Sequence, residues 1–257
     1  MIRKGLFMFD LTGKKAVVTG GARGLGKGIA TALGNAGAEV VLIDISHQLD
    51  HIVQELKPRF KVHSVYGDLS TFAGREEAFQ KAISLLNGKV DILVNSAGIH
   101  DRRACFDLPV TDFNKVMEIN HTAVYHACQF FGKTMVEQGS GKMINLASML
   151  TFFGGFNATA YAASKGAVGQ LTKSLSNEWA GYGVQVNAIA PGYMATEMNK
   201  DLLEETNERL PQINARIPAR RWGTPEDVGG AAVFLASDAA NYVSGVILPV
   251  DGGYAAR

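Results

Sequence analysis

The sequence predicts an α/β fold in which a mostly parallel sheet is covered by helices on both faces. Three observations point there. Short apolar runs rich in Val and Ile alternate with longer helical patterns along most of the 257 residues. A glycine-rich turn joins the first run to the first helical pattern. Later runs end in small or polar groups such as Asn95-Ser96-Ala97-Gly98, Ser148 and Pro191-Gly192. Strands of a parallel sheet are buried on both faces, which is why they read as short apolar runs, and the intervening helices supply the cover.

Residues 15–19 and 39–43 read as strands, with a helix beginning near Gly24 between them. A second helix occupies much of 47–57, followed by a strand around 61–65, a helix over 71–86 and a short strand at 91–94. A long helical region around 111–136, a strand at 142–147, a helix over 161–179 and a strand at 184–189 continue the alternation. Ala190-Pro191-Gly192 ends that strand, and a longer irregular or partly helical insertion leads towards Pro225. Proline suits a first helical turn, and Glu226 and Asp227 would meet the positive end of the helix dipole. A last strand near 246–250 precedes Asp251-Gly252-Gly253. No linker or repeated unit interrupts this order, so residues 1–257 are expected to form a single domain with one large core.

A hydrophobic fraction of 47% against 19% charged residues suits a globular chain and argues against extended disorder. Twenty-five basic and 24 acidic residues give a net charge of +1 without a long basic run, so no nucleic-acid partner is expected. Cys105 and Cys128 are too few and too isolated for a disulfide framework. No export segment is legible at the N-terminus, and no apolar stretch approaches the roughly 20 residues that span a bilayer. No membrane partner and a cytoplasmic location are therefore expected. The histidines are scattered, so no metal site is expected.

Thr19-Gly20-Gly21-Ala22-Arg23-Gly24-Leu25-Gly26 follows the first strand and opens the first helix. Gly20 permits a tight turn, while Gly24 and Gly26 let backbone approach a ligand and the helix approach the sheet. N–H groups at the helix start then face a pyrophosphate. The spacing is not the usual Gly-x-Gly-x-x-Gly, so the surrounding β-α-β order carries more weight than the glycines. Asp44, just beyond the second strand, can accept hydrogen bonds from the adenosine ribose, and its charge opposes a 2′-phosphate. NAD(H) is therefore expected over NADP(H). Arg23 can still meet a phosphate, with Lys27 assisting. Asp68, followed by Leu69, can accept from the adenine amino group, although acidic strand ends are common. Asn95, Ala97 and Gly98 form a small-residue loop that supports a cofactor or is a simple Asn-containing turn.

The candidate catalytic residues are Ser148, Tyr161 and Lys165, with Asn120. Tyr161 and Lys165 stand at i and i+4 on one helical face. An ammonium nearby favours tyrosinate, which is expected to lower the phenol pKa from about 10. Tyr161 can then take a proton from an alcohol or return it to a carbonyl. Ser148 can hold the same oxygen, Lys165 can reach a nicotinamide-ribose hydroxyl, and Asn120 can hold a water that links the relay to solvent.

With TGGARGLG at 19–26, NSAG at 95–98, Asn120, Ser148, YAASK at 161–165 and PG at 191–192, the chain resembles the classical short-chain dehydrogenase/reductase family over essentially its whole length. The resemblance implies a doubly wound, Rossmann-like fold with seven parallel strands. It also implies reversible hydride transfer between a nicotinamide cofactor and an alcohol or carbonyl, with the roles just given to Asn120, Ser148, Tyr161 and Lys165. Thr19 matches the family's turn-supporting threonine. Thr196, after the Pro191-Gly192 turn and Met194, resembles the residue that contacts the nicotinamide amide. Ser96 departs from the common Asn-Asn-Ala-Gly form, which implies altered local bonding with cofactor binding retained.

The segment 192–223 is expected to be a lid over the nicotinamide end. Substrate-contact candidates are His100, Arg102 and Arg103, together with Leu150, Phe156 and Met198; an arginine fork suits a carboxylate. Phe152, Phe153 and Phe156 either narrow one wall or pack beside a flexible glycine segment. The stretch 216–257 resembles that of sugar-acid and polyol dehydrogenases within the family. The expected partner is thus a small alcohol or carbonyl, such as a sugar, polyol or sugar acid. A 3-ketoacyl thioester reductase is the alternative activity, and a catalytically inactive nucleotide sensor the alternative class. The family resemblance implies a homo-oligomer, a tetramer before a dimer.

Overall fold

The computed structural model describes residues 8–257; part of the N-terminal stretch on which the absence of an export segment was read lies outside the described residues. Among the described residues, seven strands form one sheet: β1 (Lys15–Thr19), β2 (Glu39–Asp44), β3 (Val62–Tyr66), β4 (Ile92–Asn95), β5 (Gly141–Leu146), β6 (Val184–Pro191) and β7 (Ile247–Val250). All pairs are parallel, in the order β3-β2-β1-β4-β5-β6-β7. The chain thus winds outwards one way from β1 and the other way from β4. Ligands of such sheets bind beyond the carboxyl ends of the strands at that reversal.

The helices are α1 (Gly24–Asn35), α2 (Leu49–Leu56), α3 (Phe72–Leu85), α4 (Val110–Met117), α5 (Ala123–Gln138), α6 (Thr159–Trp179), α7 (Leu210–Arg216) and α8 (Pro225–Ala236). Successive strand residues point to opposite faces, and the core divides accordingly. Val17, Val41 and Leu93 pack with Phe79 of α3, Phe131 of α5 and Val168 of α6. Ala16, Val18 and Val40 pack with Ile29 of α1, Ile52 of α2 and Leu235 of α8. Burying each such large side chain contributes roughly 1.5–3 kcal/mol, so both layers clamp the sheet that presents the site.

The expected long helix at 111–136 is instead interrupted. A π-helical turn, Glu118–Thr122, separates α4 from α5. The turn is anchored from outside its own helix. The Glu118 carboxylate accepts from buried Arg75 of α3 at 2.5 Å, and the Asn120 side chain bonds Ile99 and Ser164. Apolar spacing cannot show one extra residue in a helical turn, whereas such turns recur at functional sites.

Pro225 opens α8 as expected, behind a Thr224–Asp227 capping box. Residues 192–223 contain a 3₁₀ turn, Glu197–Leu203, and α7. A Met194–Gly223 bridge closes the two ends of this segment on each other. Among the described residues, no helix is long and apolar enough to cross a membrane.

Candidate active site

A cavity of about 750 Å³ lies at the carboxyl ends of the strands, from Arg23 and Asp44 at one end to Ser148, Tyr161 and Lys165 at the other. Its floor is set by strand register. Thr19 stands beside Asn95, which stands beside Asn145. The Thr19 hydroxyl accepts from the Ser96 and Ala97 amides at 3.1 and 3.2 Å, fixing the β4 loop against the glycine turn. Asn95 does not reach the cavity. Its side-chain amide donates to Asn145 Oδ1 at 2.9 Å and to Cys128 Sγ at 3.3 Å, so it supports the loop from below. Burial pushes the Cys128 thiol up to about 12, which makes it an unreactive packing group.

The glycine turn has the shape of a dinucleotide cradle. Gly20 has φ +69° and lies so close to the β4 loop that a Cβ would stand 2.8 Å from the Ala97 backbone. A Cβ on Gly26 would stand 2.0 Å from the Gly20 carbonyl oxygen, so side chains at either position would fill the cradle. Gly24, Leu25, Ala97, Gly98, Asp68 and Leu69 line the cavity as expected. The Ser70 hydroxyl and amide hold the Asp68 carboxyl below its usual range. Lys27 is not available to a phosphate there, because its ammonium is paired with Glu55 at 2.8 Å.

Asp44 Oδ2 accepts from the Ala22 amide and Oδ1 from the Ser46 amide, each at 2.9 Å. The carboxylate thus holds the glycine turn while lining the adenosine end of the cavity. Beside it, the Arg23 side chain is exposed and has no hydrogen-bond or ion-pair partner among the described residues.

At the other end, Ser148 caps a 3₁₀ turn after β5, with its hydroxyl accepting from the Leu150 amide at 3.1 Å. Thr151 ties this turn to α6: it accepts from the Ser148 amide and donates to the Lys165 carbonyl at 2.9 Å. Tyr161 and Lys165 share the cavity-facing side of α6, with the ammonium 5.6 Å from the phenol centroid. The expected lowering of the Tyr161 pKa by this ammonium does not occur. Burial raises the phenol above its ordinary value, against smaller opposing effects of the Ser148 hydroxyl and the Arg102 charge. Lys165 is itself buried, pushed down to about 8, and donates to the Leu146 carbonyl at 2.5 Å. Desolvation outweighs the attraction in both groups.

Asn120 lies beneath this group, with its amide engaged by the Ile99 backbone and the Ser164 hydroxyl at 2.8–3.1 Å. Both Nδ2 hydrogens and one Oδ1 lone pair are thereby used.

The substrate candidates separate. His100, Leu150, Phe156 and Met198 line the cavity, although Phe156 is 90% exposed. Arg103 does not line it; Asp101 and Asp112 pair its guanidinium elsewhere. Arg102 lines it but donates to the Met198 carbonyl, Asn199 and Asp201, clasping the 192–223 segment. Pro191 and, from the start of that segment, Gly192, Met194 and Thr196 line the cavity. Arg209, Arg216, Tyr193 and Tyr254 complete this end, and sequence reasoning missed all four. No local pattern marks them, because they converge from the segment and the far C-terminus. Among the described residues, no group of three or more His, Cys, Asp or Glu side chains is placed to hold a metal.

A family model described as Enoyl-(Acyl carrier protein) reductase matches residues 20–255. The chain belongs to the classical short-chain dehydrogenase/reductase family. It is an oxidoreductase with the family's parallel seven-stranded architecture. Within the family it is 47% identical over 251 residues to the 2-dehydro-3-deoxy-D-gluconate 5-dehydrogenase of Pseudoalteromonas atlantica, covering 97% of this chain and 98% of that one. The Bacillus subtilis enzyme of the same name is 43% identical over 252 residues, covering 97% of each chain.

Three similar structures overturn the expected NAD(H) preference. A candidate NAD(P)-dependent gluconate 5-dehydrogenase from Beutenbergia cavernae holds NADP at low occupancy (43% identity, TM-score 0.92, covering 97% of this chain and 100% of that one). A candidate 2-deoxy-D-gluconate 3-dehydrogenase from Agrobacterium tumefaciens also holds NADP (41%, 0.89, 97% and 99%). So does a gluconate 5-dehydrogenase from Burkholderia cenocepacia, together with tartrate (34%, 0.91, 97% and 98%). The physical reason lies in the Arg23 guanidinium, which can offset the charge of a 2′-phosphate beside Asp44. Two backbone amides engage the carboxylate that was expected to repel a 2′-phosphate, while the neighbouring guanidinium stands free.

Proposed function

We propose that the protein is an NADP(H)-dependent oxidoreductase that interconverts a secondary hydroxyl and a ketone on a sugar acid. The grouping of Ser148, Tyr161 and Lys165 in the cavity that the glycine turn enters carries this reading. The cradle around Gly20 and Gly26 fits a pyrophosphate, and Arg23 beside it suits a 2′-phosphate. NADP(H), when bound, supplies or accepts the hydride.

The chain's own groups manage the proton. With its pKa raised, the Tyr161 phenol is protonated at neutral pH, so the resting site is set to donate to a carbonyl oxygen. The Ser148 hydroxyl hydrogen-bonds the same oxygen. Lys165 places positive charge 5.6 Å from the phenol centroid, where it would stabilise the tyrosinate left by proton transfer. Asn120, held at the π-helical turn between Ile99 and Ser164, would hold the relay water. Such positioned acid–base groups contribute about 10²–10⁴ in rate.

Gluconate-related substrates of the relatives, and the tartrate beside NADP in one of them, support a polar, acidic substrate. The cation-rich substrate end favours a compact anion over a long apolar acyl chain. In this reading 1–257 is one catalytic domain and 192–223 is its lid, latched by Arg102 to Met198, Asn199 and Asp201. A homotetramer belongs to the same reading, supported by the exposed apolar side chains of Phe106, Val110 and Tyr125. Free Cys105 and Cys128 suit a reducing, cytoplasmic setting.

The test is consumption of NADPH by purified protein offered keto sugar acids, neutral ketoses and 3-ketoacyl thioesters, each repeated with NADH. Turnover with the sugar acids and NADPH supports the reading. Cofactor binding without turnover across the panel at several pH values would replace it with nucleotide sensing.

A further inference from the structure

We propose that Arg216, assisted by Arg209, forms a carboxylate-binding subsite at the substrate end of the cavity and makes the enzyme selective for acids over neutral polyols. The inference rests on the oxidoreductase reading above and assigns its substrate-recognition group. The guanidinium of Arg216 lies 4.1 Å above the ring of Tyr254 and 5.6 Å from that of Phe153. Tyr254 is buried, so it is a fixed platform, and it packs edge-on against Tyr193 at 5.3 Å. A guanidinium held over an aromatic ring is attracted by the ring face without spending its N–H edge in a hydrogen bond. That edge is the fork a carboxylate accepts in bidentate fashion.

Four other arginines are already committed. Arg75, Arg102, Arg103 and Arg221 each have a carboxylate partner. Among the described residues, Arg209 and Arg216 have none for their guanidinium groups. The charges of both oppose the upward effect of burial on the Tyr193 phenol, and both line the same cavity. Around this end Arg102, Lys165, Arg209 and Arg216 line the cavity against a single carboxylate, Glu197. Arg102 and Arg103, the forks expected from sequence, are already bonded within the protein. Among the arginines lining this end, Arg209 and Arg216 keep unengaged forks, and Arg216 is the one held over an aromatic platform.

Calorimetry of gluconate and of its neutral amide into NADP⁺-loaded protein tests this without requiring turnover. Wild type should bind gluconate at least tenfold more tightly than the amide. Arg216→Met should weaken gluconate binding about 10- to 100-fold, the range for a lost charge-assisted hydrogen bond, and change amide binding less than twofold. Arg216→Lys should recover only part of the loss. Because Arg216→Met also removes packing against Tyr254, Arg209→Ala provides a second variant, with a smaller loss for gluconate alone. Equal losses for acid and amide, or no acid preference in wild type, would overturn the subsite. Gluconate binding with the predicted preference but no redox turnover would instead remove the oxidoreductase reading and leave the subsite standing.

Discussion

The imidazole of His100 lies flat on the phenol of Tyr161, with ring centroids 4.3 Å apart and planes 15° from parallel. Burial, and secondarily the Arg102 charge, pushes His100 down to about 4, so the ring is neutral at physiological pH. Its Nδ1 is buried without a hydrogen-bond partner. The contact is therefore a stack of two neutral rings that fixes the phenol plane. Such pairs contribute about 0.5–1.5 kcal/mol beyond area burial, or about 2- to 10-fold in an equilibrium. His100→Ala should lower kcat within that range, whereas His100→Phe, which keeps a stacked ring and removes the orphan nitrogen, should stay within about twofold of wild type. Steady-state kinetics with NADPH affinity as a control checks this. Equal losses in the two variants would show that the stack is not what matters.

The pH profile of carbonyl reduction should follow Lys165. Burial pushes its pKa down to about 8, so the ammonium is present below that pH and lost above it. Its charge stands 5.6 Å from the phenol centroid, where it would stabilise the tyrosinate left when the phenol gives up its proton. Reductive kcat should therefore be level near neutrality and fall by about tenfold per pH unit beyond pH 8. A stopped-flow profile in mixed buffers measures it; a reductive rate that climbs above pH 8 would contradict the assignment.

Cofactor choice should respond to Arg23. Arg23→Ala removes the free guanidinium at the adenosine end and should weaken NADPH binding about 10- to 100-fold, with little change for NADH. Asp44→Ala should weaken both cofactors, because the Ala22 and Ser46 amides of the cradle lose their acceptor. Fluorescence titration of the two reduced cofactors separates these outcomes.

Much of this architecture was legible in the amino-acid pattern. The strand runs, the turn at 19–26 and the i, i+4 pair Tyr161–Lys165 are local features, and local sequence encodes them directly. The π-helical turn at Glu118–Thr122 was not legible, because Arg75 and Ile99 impose it from distant parts of the chain. Asp44 misled for the same reason. Its position was correct, but its charge was read alone, without the two backbone amides that engage it and the free Arg23 beside it. The Tyr161 pKa reversed because spacing shows that a lysine is near, while desolvation depends on what covers both groups. Arg209 and Arg216 escaped notice because only tertiary folding brings them to Tyr193 and Tyr254.

The central claim is that the Tyr161 phenol transfers the proton in an NADP(H)-dependent reaction. Tyr161→Phe keeps the ring on which His100 stacks and removes only the hydroxyl, so it isolates that group. Single-turnover oxidation of bound NADPH by a keto sugar acid should slow by about 10²–10⁴ in the variant, while NADPH affinity stays near wild type. A folded Tyr161→Phe protein that oxidises NADPH at the wild-type rate would contradict the account.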